Sequence, residues 1–313
     1  MRIVFAGTPA AAVPSLRAFA DSGHDLVAVV TRPDARAGRG RTLQPSPVKV
    51  LAGELGVPVL TPASAKDSDF HDQLRELAPD VCPVVAYGSL IPRAALDIPT
   101  MGWVNLHFSL LPAWRGAAPV QHAVIHGDEV TGATTFLLDE GMDTGAVLGT
   151  MTEAIRPRDT SGELLTRLAQ AGAGLLLASV DGLADGSITP VAQPPENVST
   201  APKITTADAE INWHHPAFAV DRQIRGCTPA PGAWTTFRGE RLRVGPPAAA
   251  TPSAEFADVH LAPGELHVAK KVVLVGTGST ALPLGEVQAH GKKLMQAADW
   301  ARGSRIDTKE RLG

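Results

Sequence analysis

The chain has 313 residues, of which 44% are hydrophobic and 19% charged, with a formal net charge of −4. That profile fits a soluble globular protein of two domains, or one, with ample length to bury a core and no long low-complexity stretch. The two cysteines, Cys82 and Cys227, are far apart and read as buried or idle thiols, and neither Cys-x-x-Cys nor His-Glu-x-x-His occurs, so no metal site is expected.

No apolar run approaches the ~20 residues that span a bilayer. The opening Met1-Arg2-Ile3-Val4-Phe5-Ala6-Gly7 reads as a first strand and lacks the regions of a signal peptide, so a cytoplasmic protein is expected. A Gly7-Thr8-Pro9 turn follows, then a helix over 13–22 closed by Gly23, and a second buried-type strand over 26–30. Pro47 suits the first position of a helix over 48–55, which Gly56 ends. Residues 81–86 form a third strand, although Pro83 sits awkwardly in one that would be central. Residues 102–107, 134–138 and 147–150 are further strands. Strands alternating with helices predict a mostly parallel, Rossmann-like sheet.

Thr160-Ser161-Gly162-Glu163 has the form of a capping box before one long helix that ends near Gly182. Four prolines between 190 and 202, among few bulky residues, read as a linker. Beyond it, short strands at 233–237, 241–244, 264–268, 272–275 and 282–287 are separated by Gly/Pro turns, the spacing of a small β-barrel or sandwich. The boundaries drawn are a domain over 1–189, a linker over 190–206 and a second domain over 207–313. Charge changes across them: residues 1–202 carry 14 Lys/Arg against 21 Asp/Glu, and 203–313 carry 14 against 11. A more basic C-terminal part can attract a polyanion.

Within the strand ending at His107, alternation puts Asn105 and His107 on one face and Leu106 on the other. Sites in open α/β sheets lie at the carboxyl ends of strands. The loop that follows, Ser109 to Pro119, is rigid and largely apolar, a wall for a flat aromatic ligand. Asp139, Glu140 and Asp143 cluster among glycines downstream, where a carboxylate can orient an imidazole and favour its charged form. By itself, each of these also fits a solvated strand edge, a capping loop or a surface turn.

Asn105-x-His107-x-Ser109-Leu110-Leu111-Pro112, with Asp143 in a Gly-x-Asp-Thr-Gly context, resembles the signature of the 10-formyltetrahydrofolate-dependent formyltransferases. The run from Ser109 to Gln121 is most similar to the members that act on initiator methionyl-tRNA. Phe5-Ala6-Gly7-Thr8-Pro9, Arg32-Pro33-Asp34, Gly38-Arg39-Gly40, the segment Pro45 to Ala52, Val84-Val85-Ala86-Tyr87-Gly88 and Asp159-Thr160-Ser161-Gly162 match in the same order. The likeness is strong over about 1–190 and thinner beyond.

This resemblance implies transfer of a formyl group from 10-formyltetrahydrofolate, a co-substrate, to the α-amine of methionine on initiator tRNA. Asn105, His107 and Asp143 are then the catalytic set. Asn105 stabilises the oxyanion, and His107 and Asp143 divide the proton work. Folate is expected along Ser109, Leu110, Leu111 and Pro112, beneath Tyr87 and Gly88. A basic loop with Arg36, Arg39 and Arg41 is expected to meet the tRNA acceptor end. The C-terminal part is expected to be a barrel of oligonucleotide-binding type, with Arg225, Lys270, Lys271, Lys292 and Lys293 among its candidate phosphate contacts, beside Arg222, Arg238, Arg241 and Arg243. No metal, membrane or obligate protein partner is expected, and the chain is read as a monomer.

Among other members, sugar-amine formyltransferases share Asn, His, Asp and much of the loop, and the Gly38-Arg39-Gly40 and 45–49 segments favour tRNA over a sugar. A nicotinamide-dependent oxidoreductase is disfavoured because Phe5 to Pro14 lacks Gly-x-Gly-x-x-Gly. A catalytically silent RNA-binding protein does not call for Asn105, His107 and Asp143 together.

Overall fold

A computed structural model of the chain describes residues 1–37, 42–307 and 310–313. In chain order the elements are β1 (Arg2–Gly7), α1 (Val13–Ala20), β2 (Asp25–Val30), β3 (Ala35–Ala37), β4 (Thr42–Gln44), α2 (Pro47–Glu54), β5 (Val59–Leu60), α3 (Ser68–Leu77), β6 (Cys82–Val85), α4 (Arg93–Leu96), β7 (Trp103–His107), α5 (Pro119–His126), β8 (Val130–Leu137), β9 (Val147–Ala154) and α6 (Ser161–Asp185). They continue with α7 (Ala217–Gly226), β10 (Trp234–Phe237), β11 (Glu240–Val244), β12 (Leu266–Val268), β13 (Val273–Val275), β14 (Leu282–Pro283), β15 (Glu286–Ala289), β16 (Met295–Gln296) and α8 (Ala297–Ser304).

The chain forms two compact units. One comprises 1–119, 130–154 and 165–201, and the other 120–129, 155–164 and 202–313. In the first, a seven-stranded sheet runs in the order β5-β2-β1-β6-β7-β8-β9. Pairing is parallel from β5 to β7 and antiparallel for β7 with β8 and β8 with β9, so the expected mostly parallel sheet is present. The near-continuous apolar runs of β1, β2 and β6 belong to strands covered on both faces. Val4, Ala6, Ala28, Val30, Val84 and Trp103 form one buried cluster with Phe70 and Leu74 of α3. Opposite, Leu106 packs on α6, where a Cβ added at Gly172 would lie 3.0 Å from its side chain.

β6 is central despite Pro83. Its ladder to β1 consists of Ala6 with Val84 and Gly7 with Val85, plus one bridge from Ile3 to Val81. The break falls at Pro83, which has no N–H to donate, and the pairing with β7 is continuous past it. α2 starts as its sequence dictates, with Pro47 at its first position and Ser46 Oγ accepting from the Lys49 N–H at 3.0 Å.

Chain order reverses between β1 and β6, the switch point at which open sheets leave a crevice at their carboxyl ends. There the Thr8 hydroxyl donates to the Tyr87 carbonyl at 2.8 Å and accepts from the Arg32 N–H at 3.3 Å, tying together the segments that leave β1, β6 and β2.

The segment read as a linker is in fact docked through residue 201. Val191 bridges Val147, Thr200 bridges Arg115, and Ala201 is fully buried. Its attachment is by backbone hydrogen bonds and by the side chains of Gln193 and Ser199, which leave no apolar pattern in a sequence.

In the second unit the expected β structure is two antiparallel sheets, β10-β11-β15-β16 and β12-β13-β14. Leu242, Val244 and Val287 of the first share one core with Leu266, Val273 and Val275 of the second, closed by Trp300 of α8. The capping box is formed. The Thr160 N–H donates to Glu163 Oε2 at 2.9 Å, and the Glu163 N–H to Thr160 Oγ1 at 3.2 Å. Both cysteines are buried, as expected, which pushes Cys227 up to about 11 and Cys82 well above the ordinary thiol range. Among the described residues no helix is long and apolar enough to cross a membrane.

Candidate active site

β7 delivers Asn105 and His107 to one face, where they lie in register with Phe136 and Thr134 of β8. The Asn105 side chain is half-buried and makes no hydrogen bond to any described residue, so its amide N–H groups remain available. His107 is 6% exposed, with its ring edge-on to Phe136.

His107 Nε2 lies 2.9 Å from the carbonyl oxygen of Trp114. A carbonyl only accepts, so Nε2 carries the hydrogen and Nδ1 is the basic nitrogen of the neutral ring. Nδ1 faces Asp143 Oδ2 at 3.7 Å, close enough for strong Coulomb coupling but too long for a hydrogen bond. Burial pushes the His107 pKa down, and the Asp143 charge and the Trp114 carbonyl only partly offset this. The Asp143 carboxylate does favour the charged ring, and desolvation is the larger, opposing influence.

Asp143 adopts φ +53° and accepts the Gly116 N–H on Oδ2 at 2.7 Å. Gly116 has φ +124°, and a Cβ there would lie 2.7 Å from the Ala201 carbonyl oxygen, so only glycine fits the approach. The other carboxylates of that turn have different fates. Asp139 Oδ1 accepts from the Gly141 N–H at 3.0 Å and from Thr144 Oγ1 at 2.7 Å, which shapes the turn, and Glu140 is exposed.

The Ser109–Pro112 loop is held from within. Ser109 Oγ donates to the Ala113 carbonyl at 2.6 Å. Thr134 Oγ1 donates to the Ser109 carbonyl at 2.7 Å and accepts the Leu111 N–H at 3.1 Å. Leu111 is buried, Leu110 is half-buried, and the Leu111–Pro112 bond is cis. Tyr87 is 2% exposed, its ring packed in the core cluster, and burial raises its phenol against the opposing charge of Arg32. The turn around it, with Ala86 at φ +48° and Gly88 at φ +83°, offers a ligand backbone more readily than side chain.

Sequence reasoning marked Gly116 as a point of close approach, as found, but missed Thr134, Gln193 and Ser199. Gln193 Nε2 donates to the carbonyls of Asp143 at 2.8 Å and Gly145 at 2.9 Å, and its Oε1 accepts from Arg115 Nε and Nη2 at 3.1 and 2.6 Å. Ser199 Oγ accepts the Trp114 N–H at 2.9 Å. Gln193 and Ser199 lie in the Pro-rich segment, where no periodicity or charge pattern marks them.

The basic residues divide. Arg225 is corrected: it is 6% exposed, its Nε donates to Asp221 Oδ2 at 2.8 Å and its Nη1 to the Asp159 carbonyl at 2.9 Å, so it is a buried structural ion-pair residue and not a phosphate contact. Lys270 and Lys271 sit exposed between β12 and β13, and Lys292 and Lys293 exposed between β15 and β16. None of these four is in an ion pair among the described residues. Arg36 is exposed on β3, and Arg39 and Arg41 lie outside the described residues. Arg238 is held by Glu310 and Arg241 stacks on Trp234.

A free amide donor, a buried imidazole and a carboxylate lie at the carboxyl edge of the sheet, groups that group transfer can use. Residues 1–180 match the family model described as formyl transferase, and 203–305 the one described as formyl transferase, C-terminal domain. A methionyl-tRNA formyltransferase of Streptomyces coelicolor is 63% identical over 314 residues, covering all of both chains. The chain belongs to the methionyl-tRNA formyltransferase family. Its fold is shared with HypX from Aquifex aeolicus in complex with tetrahydrofolic acid (TM-score 0.63, 16% identity, 96% of this chain and 48% of that one). It is shared too with WlaRD, a sugar 3N-formyl transferase (TM-score 0.66, 17% identity, 94% and 99%). The fold alone thus leaves open whether the acceptor is a sugar or a tRNA.

Proposed function

We propose that this chain transfers the formyl group of 10-formyltetrahydrofolate to the α-amine of methionine on initiator methionyl-tRNA, as a monomer in the cytoplasm. Full-length identity of 63% to a methionyl-tRNA formyltransferase supports the acceptor. The observation that carries the chemistry is the unengaged Asn105 amide beside a His107 ring whose only open nitrogen, Nδ1, faces Asp143.

The amine attacks the formyl carbon, a C–N bond forms and the C–N10 bond to folate breaks, and one proton passes from the amine to N10. Asn105 donates to the oxyanion that develops. Nε2 is committed to Trp114, so His107 exchanges protons only at Nδ1. Because burial keeps His107 neutral, it takes up the amine proton, directly or through Asp143, and returns it to N10. The Asp143 charge stabilises the transient imidazolium. Folate lies along Ser109–Pro112 and the Tyr87-Gly88 turn. Residues 1–189 carry the chemistry, and 207–313 face tRNA through exposed lysines.

The test offers labelled formyl-folate together with charged initiator tRNA, charged elongator tRNA and an amino sugar. Transfer to initiator tRNA is expected, and transfer to the sugar alone would sink the reading. Asn105→Ala is expected to lower the rate by roughly 10²–10³, and near-normal rates in Asn105→Ala, His107→Ala and Asp143→Ala would remove the trio from the chemistry.

A further inference from the structure

Asp143 occupies a left-handed backbone conformation, which aspartate adopts more readily than most residues but at some cost. Its carboxylate must nevertheless stay within Coulomb range of His107 Nδ1. The Gly116 N–H restrains the side chain at 2.7 Å, and Gly116 itself lies against the Ala201 backbone. Both loops converge on one side chain that the chemistry does not use.

We propose that Gln193 is a positioning residue for the formyl transfer: its amide clamps the Asp143 turn to the Trp114–Gly116 loop and so sets the distance between Asp143 and His107. The inference rests on the functional reading above. A primary amide has two N–H donors and two acceptor lone pairs, and all four are used here. The donors hold the Asp143 and Gly145 carbonyls, and the oxygen takes both Nε and Nη2 of Arg115. Arg115 is anchored further, its N–H donating to the Ser199 carbonyl at 2.9 Å and its own carbonyl accepting the Ala201 N–H at 2.7 Å. Between Trp114, which accepts from His107 on its carbonyl, and Gly116, which donates to Asp143, Arg115 is therefore fixed at both backbone and side chain. Glutamate cannot replace the amide. It keeps the Arg115 pairing but turns an oxygen toward two carbonyls.

The test measures Gln193→Met and Gln193→Glu by steady-state kinetics, thermal melting and NMR titration of His107, assigned through its absence in His107→Gln. Both variants are expected to lose kcat by roughly 10–100-fold with the folate KM nearly unchanged. In Gln193→Met, which adds no charge, retreat of Asp143 removes a raising influence on His107, so its titration moves to lower pH. In an Asp143→Asn background the same Met substitution should shift His107 no further. An unchanged His107 titration in Gln193→Met would overturn the proposal whether or not kcat falls. A loss of kcat with an equal shift in the Asp143→Asn background would also overturn it. Gln193→Glu serves where the Met variant melts early, since it keeps the Arg115 pairing, and wild-type kcat in Gln193→Glu would overturn the proposal as well. If Asp143→Asn alone retains full activity, the catalytic assignment fails instead, and the His107 titration still reports on the clamp.

Discussion

The imidazole of His107 donates through Nε2 to the Trp114 carbonyl, 2.9 Å away, and this bond decides which nitrogen is open for chemistry. With Nε2 occupied and the ring buried, Nδ1 is the nitrogen left open, and it faces Asp143 at 3.7 Å.

Activity should accordingly have an acid limb set by His107. Its folded pKa lies below the ordinary value of about 6.5 because burial penalises the charged ring. The His107 limb of the rate is expected below pH ~6.5, apart from any limb that the substrate amine sets near its own pKa of about 7.7–8.0. Stability has the same sign. The unfolded chain binds the proton more readily, so the contribution of the neutral ring is complete above pH ~6.5 and is lost as pH falls through the folded value. NMR titration of the His107 ring with urea melts at matched pH checks both, and a ring titration above pH ~6.5 would contradict the direction of the shift.

Thr134→Val should loosen the loop without altering β8. The substitution is nearly isosteric but leaves the Ser109 carbonyl and the Leu111 N–H without their shared partner. A loss of about 1–3 kcal/mol is expected in urea unfolding, with a rise in folate KM.

Gly116→Ala should impair both folding and rate. The new Cβ meets the Ala201 carbonyl at 2.7 Å and the backbone is at φ +124°. A cost of about 1–3 kcal/mol in thermal melts and a fall in kcat are expected, because the Gly116 N–H that holds Asp143 must move.

Arg225 and the hairpin lysines should separate cleanly. Arg225→Met removes a buried pair but leaves Asp221 its pair with Arg158, so it is expected to destabilise by about 1–3 kcal/mol, with no change in the salt dependence of tRNA binding. Lys270→Ala with Lys271→Ala is expected to keep stability and flatten the slope of log K against log salt by about one for each tRNA phosphate that is no longer neutralised. Filter binding across a salt series, beside chemical unfolding, checks the pair of outcomes.

Local pattern was sufficient for much of this molecule. Alternation put Asn105 and His107 on one face, Pro47 and the Thr160–Glu163 box marked helix starts, and apolar runs marked β1, β2 and β6, because these depend on neighbouring residues alone. The motif from Asn105 to Pro112 with Asp143 pointed to the chemistry through its resemblance to a known family, since by themselves its residues also fit a strand edge and a surface turn. What the tertiary structure alone decided depends on contacts between distant segments. It made Arg225 a buried partner of Asp221, turned a Pro-rich stretch into the clamp that carries Gln193 and Ser199, and split three clustered carboxylates into a turn former, an exposed charge and a site residue. It also set the balance at His107, where desolvation prevails over a carboxylate 3.7 Å away. Burial and hydrogen-bond partners are properties of the packed chain, and no window of sequence contains them.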